Sequence, residues 1–120
     1  MIRITNNYGE ILISRKAIID IIGITVKNSY GIVGMSRKNV QSSLIDVLRS
    51  DKYFKGVETS LRENFIDIDV YVVLEYGTNI SEVARNLSDS IRYNLKHLTG
   101  AEAGKVDVHI RKLKVNGDLR

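Results

Sequence analysis

Residues 65 to 76 alternate without a break between two kinds of side chain. Ile66, Ile68, Val70, Val72, Leu74 and Tyr76 occupy one parity, and Phe65, Asp67, Asp69, Tyr71, Val73 and Glu75 the other. Successive strand residues point to opposite faces, so this run predicts a long strand with one buried face and one largely polar face. Such a strand is stable only when another layer covers its apolar side, which restricts the chain to layered architectures built around it.

The flanking residues supply that layer. Val57 to Arg62 reads as a strand that Glu63-Asn64 turn back into residues 65–75, forming a hairpin. After it, Asn79 with Glu82 three residues on has the spacing of a capping box, and Ile80, Val83, Ala84, Leu87, Ile91, Leu95 and Leu98 form a helical stripe. His97 suits the negative end of that helix, and Gly100 can close it in the left-handed conformation. A last strand is expected over Val106 to Val115. Its apolar parity slips after Arg111, since Leu113 and Val115 fall out of phase with Val106, Val108 and Ile110, which predicts a bulge there. Strand, helix, strand in succession implies a crossover between parallel neighbours. The expected fold is therefore α+β: a two-layer sandwich of mixed β-sheet with helices on one face, and Asp67, Asp69, Asp107, His109 and Arg111 on the other.

The first half is less regular. A turn at Asn6 to Gly9 precedes a short strand at Glu10 to Ile13, and Ser14 caps a helix to about Asn28. Ile18, Ile21, Ile22 and Thr25 share one side of that helix, while Ile19 and Val26 lie elsewhere on its circumference. Either the helix is covered on two sides within the chain, or Ile19 and Val26 meet a second subunit. Val40, Leu44, Val47 and Leu48 predict a further amphipathic helix over 38–50. Tyr-Gly occurs at Tyr8-Gly9, Tyr30-Gly31 and Tyr76-Gly77, succeeded by Ser14, Ser36 and Ser81. This pattern reads as recurrent turn chemistry, with tyrosines anchoring the turns and serines capping or opening the next helix.

A chain of 120 residues fits one domain, taken as 1–120, and can bury a core without a staple. It has no cysteine, which excludes disulfides and thiolate metal sites and suits a reducing compartment. The apolar run from Ala17 to Val26 is about half the ~20 residues of a spanning helix and carries Asp20. A soluble, cytoplasmic protein is the expectation. The net charge of +4 is concentrated between Arg37 and Lys55, where Arg37, Lys38, Arg49, Lys52 and Lys55 face only Asp46 and Asp51. That segment reads as a solvated basic face, and it would also suit an anionic partner.

Tests for chemistry give no constellation, and no catalytic, cofactor-binding or metal-binding residue is assigned. Gly100 to Lys105 falls one residue short of a phosphate loop, lacks the terminal Ser/Thr, and leads from helix to strand, the reverse of the required order. Gly34-Met35-Ser36 lacks the second glycine of a nucleophile elbow, because Lys38 stands there. His97 and His109 are two isolated histidines, short of the three or four ligands of a zinc site. Asp67 and Asp69 point the same way about 7 Å apart, a spacing open to acid–base work or a hard cation but equally to a solvated sheet face. Gly31-Ile32-Val33-Gly34 stands between two expected helices, where a KH-type RNA module places its backbone clamp, but Ile-Val brings no polarity to meet phosphates.

Taken in order, Tyr8-Gly9-Glu10-Ile11-x-Ile13-Ser14, Tyr30-Gly31-Ile32-Val33-Gly34-Met35, Lys55-Gly56-Val57, Ile66 to Val73, Tyr76-Gly77-x-x-Ile80-x-x-Val83-Ala84, and Thr99-Gly100 with Val106-x-Val108 resemble the alkaline shock protein family. This is also called the envelope stress response family of Gram-positive bacteria. The resemblance covers nearly the whole chain. It implies an abundant cytoplasmic protein without catalysis or cofactor that works in cell envelope homeostasis as a binding or scaffold protein. Its partners would be proteins, including a small membrane anchor that brings it to the membrane indirectly. A nucleic-acid role of KH type is the alternative. Self-association, through helix 14–28 or a sheet edge, is a separate expectation that rests on the wide apolar arc of that helix. Ala101-Glu102-Ala103 departs from the family, whose members often carry a more apolar stretch after Thr-Gly.

Overall fold

The computed structural model describes residues 2–38 and 47–115, so the helix expected over 38–50 lies mostly outside the described residues. Strands β1 (Ile2–Asn6) and β2 (Gly9–Ile13) form an antiparallel hairpin. After them come helix α1 (Arg15–Lys27), strand β3 (Ile32–Met35), a 3₁₀ segment (Ser50–Gly56), β4 (Val57–Arg62), β5 (Phe65–Glu75), α2 (Ile80–Thr99) and β6 (Glu102–Lys114).

β5 is the centre of the main sheet. β6 runs parallel to it along one edge. Its other edge is divided, with β4 antiparallel to residues 65–70 and β3 antiparallel to residues 72–74. The sheet is mixed and the fold α+β, as the alternation of β5 and the crossover pattern lead one to expect. Ile66, Ile68, Val70, Val72 and Leu74 are fully buried against Ile18, Ile22 and Val26 of α1 and Val83, Leu87, Ile91 and Leu95 of α2. At about 1.5–3 kcal/mol for each apolar side chain withdrawn from water, this cluster is the main source of stability.

The helix ends are fixed locally. Ala17 N–H donates to Ser14 Oγ at 3.1 Å, and Glu82 N–H donates to Asn79 Oδ1 at 3.1 Å, so both expected N-caps form. Gly100 adopts φ 82° at the end of α2 and its N–H donates to the Lys96 carbonyl at 2.9 Å. The bulge expected at Arg111 is present: Val72 pairs with Ile110 and Val73 with Lys112, leaving Arg111 as the extra residue. A second irregularity, between the pairs Ile66–Ala103 and Ile68–Val106, brings Gly104 and Lys105 opposite Asp67. Residues 102–105 escape the alternation for that reason, and the strand starts earlier than its apolar parity indicates.

The structure decides the alternative left open for α1 in favour of cover within the chain, and it changes two other readings. Val26 is fully buried in the core and Ile19 packs half-buried against it, because α1 is flanked by both α2 and the 3₁₀ segment. Asn94 Nδ2 donates to Thr25 Oγ1 at 3.0 Å on one side, and a Cβ at Gly23 would lie 3.7 Å from Tyr53 Cβ on the other. The wide apolar arc is thus covered within the chain, and the exposed apolar residue on α1 is Ile24 instead. Secondly, Gly31 to Gly34 is no loop. Ile32–Met35 is strand β3, and the Gly31 carbonyl accepts from Glu75 N–H at 3.1 Å, so the backbone is not presented as a phosphate clamp. Thirdly, the Tyr-Gly glycines do take positive φ, at 130°, 85° and 101°, but Tyr8, Tyr30 and Tyr76 are exposed and anchor nothing.

Candidate functional site

The outer face of the sheet gathers the charged residues that sequence reasoning weighed for chemistry. Asp67 is held by Arg62, whose Nε and Nη2 donate at 2.8 and 3.2 Å, and by the Lys105 backbone N–H at 2.8 Å. The Arg62 hydrogen bonds, then the Lys105 amide, keep its carboxyl below the ordinary aspartate value. A Cβ on Gly104 would collide with Asp67 Oδ1. Asp67 therefore ties the β4–β5 hairpin to the irregular start of β6, with all its capacity turned inward.

Asp69 stands apart from that clamp. His109 Nε2 lies 2.8 Å from Asp69 Oδ1, and the His109 ring stacks on Tyr71 with centroids 4.4 Å apart. The Arg111 guanidinium lies 5.9 Å from the centre of the Tyr71 ring, within cation–π range. Burial raises the Tyr71 phenol above its usual range. Across the strand pair from Asp69, Glu58 binds Lys38 at 3.1 Å, which raises the Lys38 ammonium. The two aspartates are thus drawn into separate pairings. His97 is elsewhere, stacked on Tyr93 along α2, so the two histidines do not meet. Among the described residues no group of three His, Cys, Asp or Glu side chains is placed to hold a metal ion. This face pins three strands together, Arg62 of β4 to Asp67 of β5, and Asp67 and Asp69 of β5 to the Lys105 N–H and His109 of β6. The parity of β5 pointed to its residues, but the stacking of His109 on Tyr71 needs the β5–β6 register, which no local pattern carries.

A second feature lies at the start of β5, where sequence reasoning placed nothing. The β1–β2 hairpin stands beside the β4–β5 turn and the end of α2, enclosing a cleft of about 760 Å³. Its walls include Ile2, Ile4 and Leu12 from the hairpin, Leu61 and Ile66 from the sheet, and Gly100 at the end of α2. Leu12 and Leu61 are 54% and 58% exposed, unusual for leucines in strands facing a common space. Arg3 and Glu63 give the rim opposite charges. The signal for this cleft was the alternation Ile2, Ile4 against Arg3, Thr5, which is too short to mark β1 on its own. The segment that departs from the family pattern lies next to it: Ala101 is buried, and Glu102 binds Lys96 at 2.7 Å.

No helix among the described residues is long and apolar enough to cross a membrane. No solved structure matches the chain. It is 33% identical over 115 residues to the uncharacterized protein YloU of Bacillus subtilis, covering 95% of this chain and 96% of that one. It is 32% identical over 118 residues to the uncharacterized protein Spy1614 of Streptococcus pyogenes, covering 98% of each. The uncharacterized protein YqhY of Bacillus subtilis is 29% identical over 102 residues, 85% of this chain and 75% of that one. The model of the alkaline shock protein family, described as having a cell envelope-related function, matches residues 3–115. The ordered motifs from Tyr8 to Val108, the two-layer fold and this match agree, and the chain belongs to the alkaline shock protein family.

Proposed function

We propose that this protein is a binding or scaffold protein of cell envelope homeostasis that carries out no chemistry of its own. It docks a partner protein in the cleft between the β1–β2 hairpin and the β4–β5 turn. The observation that supports this reading is the cleft itself, where Leu12 and Leu61 face solvent from two separate sheets around a space of about 760 Å³. An apolar segment of a partner would cover both leucines and gain about 25 cal/mol for each Å² withdrawn from water. The charged outer face favours the same view, since Asp67, Asp69, Glu58 and His109 each serve a contact inside the fold. The protein works in the cytoplasm and reaches the membrane through its partner, a small membrane anchor.

A tagged pull-down from the native bacterium with membranes retained tests this. A specific protein should be recovered with the wild type and lost with Leu12→Asp/Leu61→Asp, while circular dichroism of the variant stays unchanged. Recovery of a specific RNA and no protein would replace this reading with a nucleic-acid one. Retention of the partner by the variant would move the docking surface elsewhere.

A further inference from the structure

Helix α1 carries a second surface, which involves none of the cleft residues. Its outward line is Lys16, Asp20, Ile24 and Lys27, since Ile18, Ile22, Thr25 and Val26 are buried. Ile24 is 60% exposed at the crest of this line. Beside it runs a groove of about 280 Å³ between α1 and the 3₁₀ segment, with an apolar lining of Ile19, Gly23, Ile24, Tyr53 and Phe54 and a charged one of Asp20, Lys27 and Asp51. Gly23, on which the 3₁₀ segment packs, adds no side chain to the groove, and Phe54, 40% exposed, forms its far wall. An exposed isoleucine therefore stands next to an apolar groove that it does not fill.

The charges around Ile24 are self-complementary. Asp20 precedes it by one turn and Lys27 comes one turn after it, about 6 and 4.5 Å away along the axis and on the same side. A two-fold axis passing beside Ile24 lays a second α1 antiparallel on the first. Asp20 of each copy then meets Lys27 of the other, to within about 1.5 Å of axial offset, well inside the reach of a lysine. Within one chain Asp20 is bound by Lys16 at 3.2 Å, whereas Lys27 makes no ion pair among the described residues. A contact in which residue i meets j and j meets i is what a closed, isologous dimer requires.

We infer that α1 is the self-association surface of this chain. Two copies dock antiparallel about Ile24, each isoleucine entering the other's groove and two Asp20–Lys27 pairs fixing the register. The occupant is a second copy, because a partner of other sequence would have no reason to match both charges at these two spacings. Association through this helix was an expectation of the sequence, but the residues that carry it differ: Ile24 rather than Ile19 and Val26.

Sedimentation equilibrium on the full chain provides the test. At several hundred micromolar the wild type should approach twice its 13.5 kDa mass. Ile24→Asp should sediment as a folded monomer, since that side chain contributes little to the core. Asp20→Lys and Lys27→Asp should each raise the dissociation constant about tenfold, because each replaces two attractive pairs by two repulsive ones. An equimolar mixture of these two variants should associate as tightly as the wild type, since each heterodimer regains two opposite-charge pairs. A wild type that stays monomeric, a dimer that survives Ile24→Asp, or a mixture no tighter than its components would each overturn the inference.

Discussion

Replacing Gly100 by alanine isolates one conformational cost. Gly100 holds φ 82° at the end of α2, and a Cβ built on it would touch only Ile4, at 3.8 and 3.9 Å, an ordinary contact. The penalty is therefore that of an L-residue in the left-handed region, about 1–2 kcal/mol. It is reduced by the smaller backbone entropy that alanine loses on folding, about 0.4–1 kcal/mol. The net loss is about 1 kcal/mol by these two terms. A chain of 120 residues unfolds with an entropy near 250 cal/mol/K at about 2.1 cal/mol/K per residue, so Tm should fall by about 4 °C. Gly100→Asn should fall less, because asparagine tolerates this conformation. Gly23→Ala provides the opposite sign. Gly23 is helical, and its added Cβ would lie 3.7 Å from Tyr53 Cβ, so the variant should gain about 0.5–1 kcal/mol and melt about 2–4 °C higher. Calorimetry at low protein concentration reads all three. If Gly100→Ala melts at or above the wild type, the left-handed cap is not what closes α2 and the assigned cost is refuted.

Other outcomes can be checked by routine means. The folded-state pKa of Asp67 is depressed, so its contribution is fully present above the unfolded value near 4 and is lost as pH falls through the lower folded value. Urea midpoints between pH 7 and pH 2 should thus decline less steeply for Asp67→Asn than for the wild type. Ile91→Ala, which empties a fully buried position of α2, should cost about 2–5 kcal/mol and lower the urea midpoint without changing the slope. Co-sedimentation of the pure protein with liposomes should be weak at physiological salt, since a net charge of +4 is dilute and each basic group near an anionic surface adds only about 1 kcal/mol. Strong binding to neutral lipid would contradict membrane recruitment through a partner.

Where local chemistry decides the structure, it could be read directly. Strand β5, the β4–β5 turn, the caps at Ser14, Asn79 and Gly100, and the Arg111 bulge all announce themselves over a few residues. The errors come from contacts distant in sequence. A helical projection of α1 cannot show that α2 covers one flank and the 3₁₀ segment the other, so the sequence leaves open whether Val26 belongs to the core, as it does. Gly31 to Gly34 looked like a loop because its pairing partner, Val72–Leu74, lies about forty residues away. The outer-face positions Tyr71 and Val73 break the polar parity of β5, and they are buried. His109 stacks on Tyr71, and Gly34 pairs with Val73 from β3. The cleft was invisible for the same reason: its two leucines come from different sheets.

The β1–β2 hairpin is its own two-stranded sheet, joined to the main sheet by no backbone ladder among the described residues and seated through Ile2, Ile4 and Ile13. A two-stranded hairpin is marginal alone, so its grip on the core is what keeps it formed. Its amides should consequently exchange with deuterium at a lower free energy than those of β5, which are bonded on both edges. Because the same hairpin is one wall of the cleft, widening the cleft and releasing the hairpin are a single opening event. A bound partner would then slow exchange across residues 2–13 as one cooperative block.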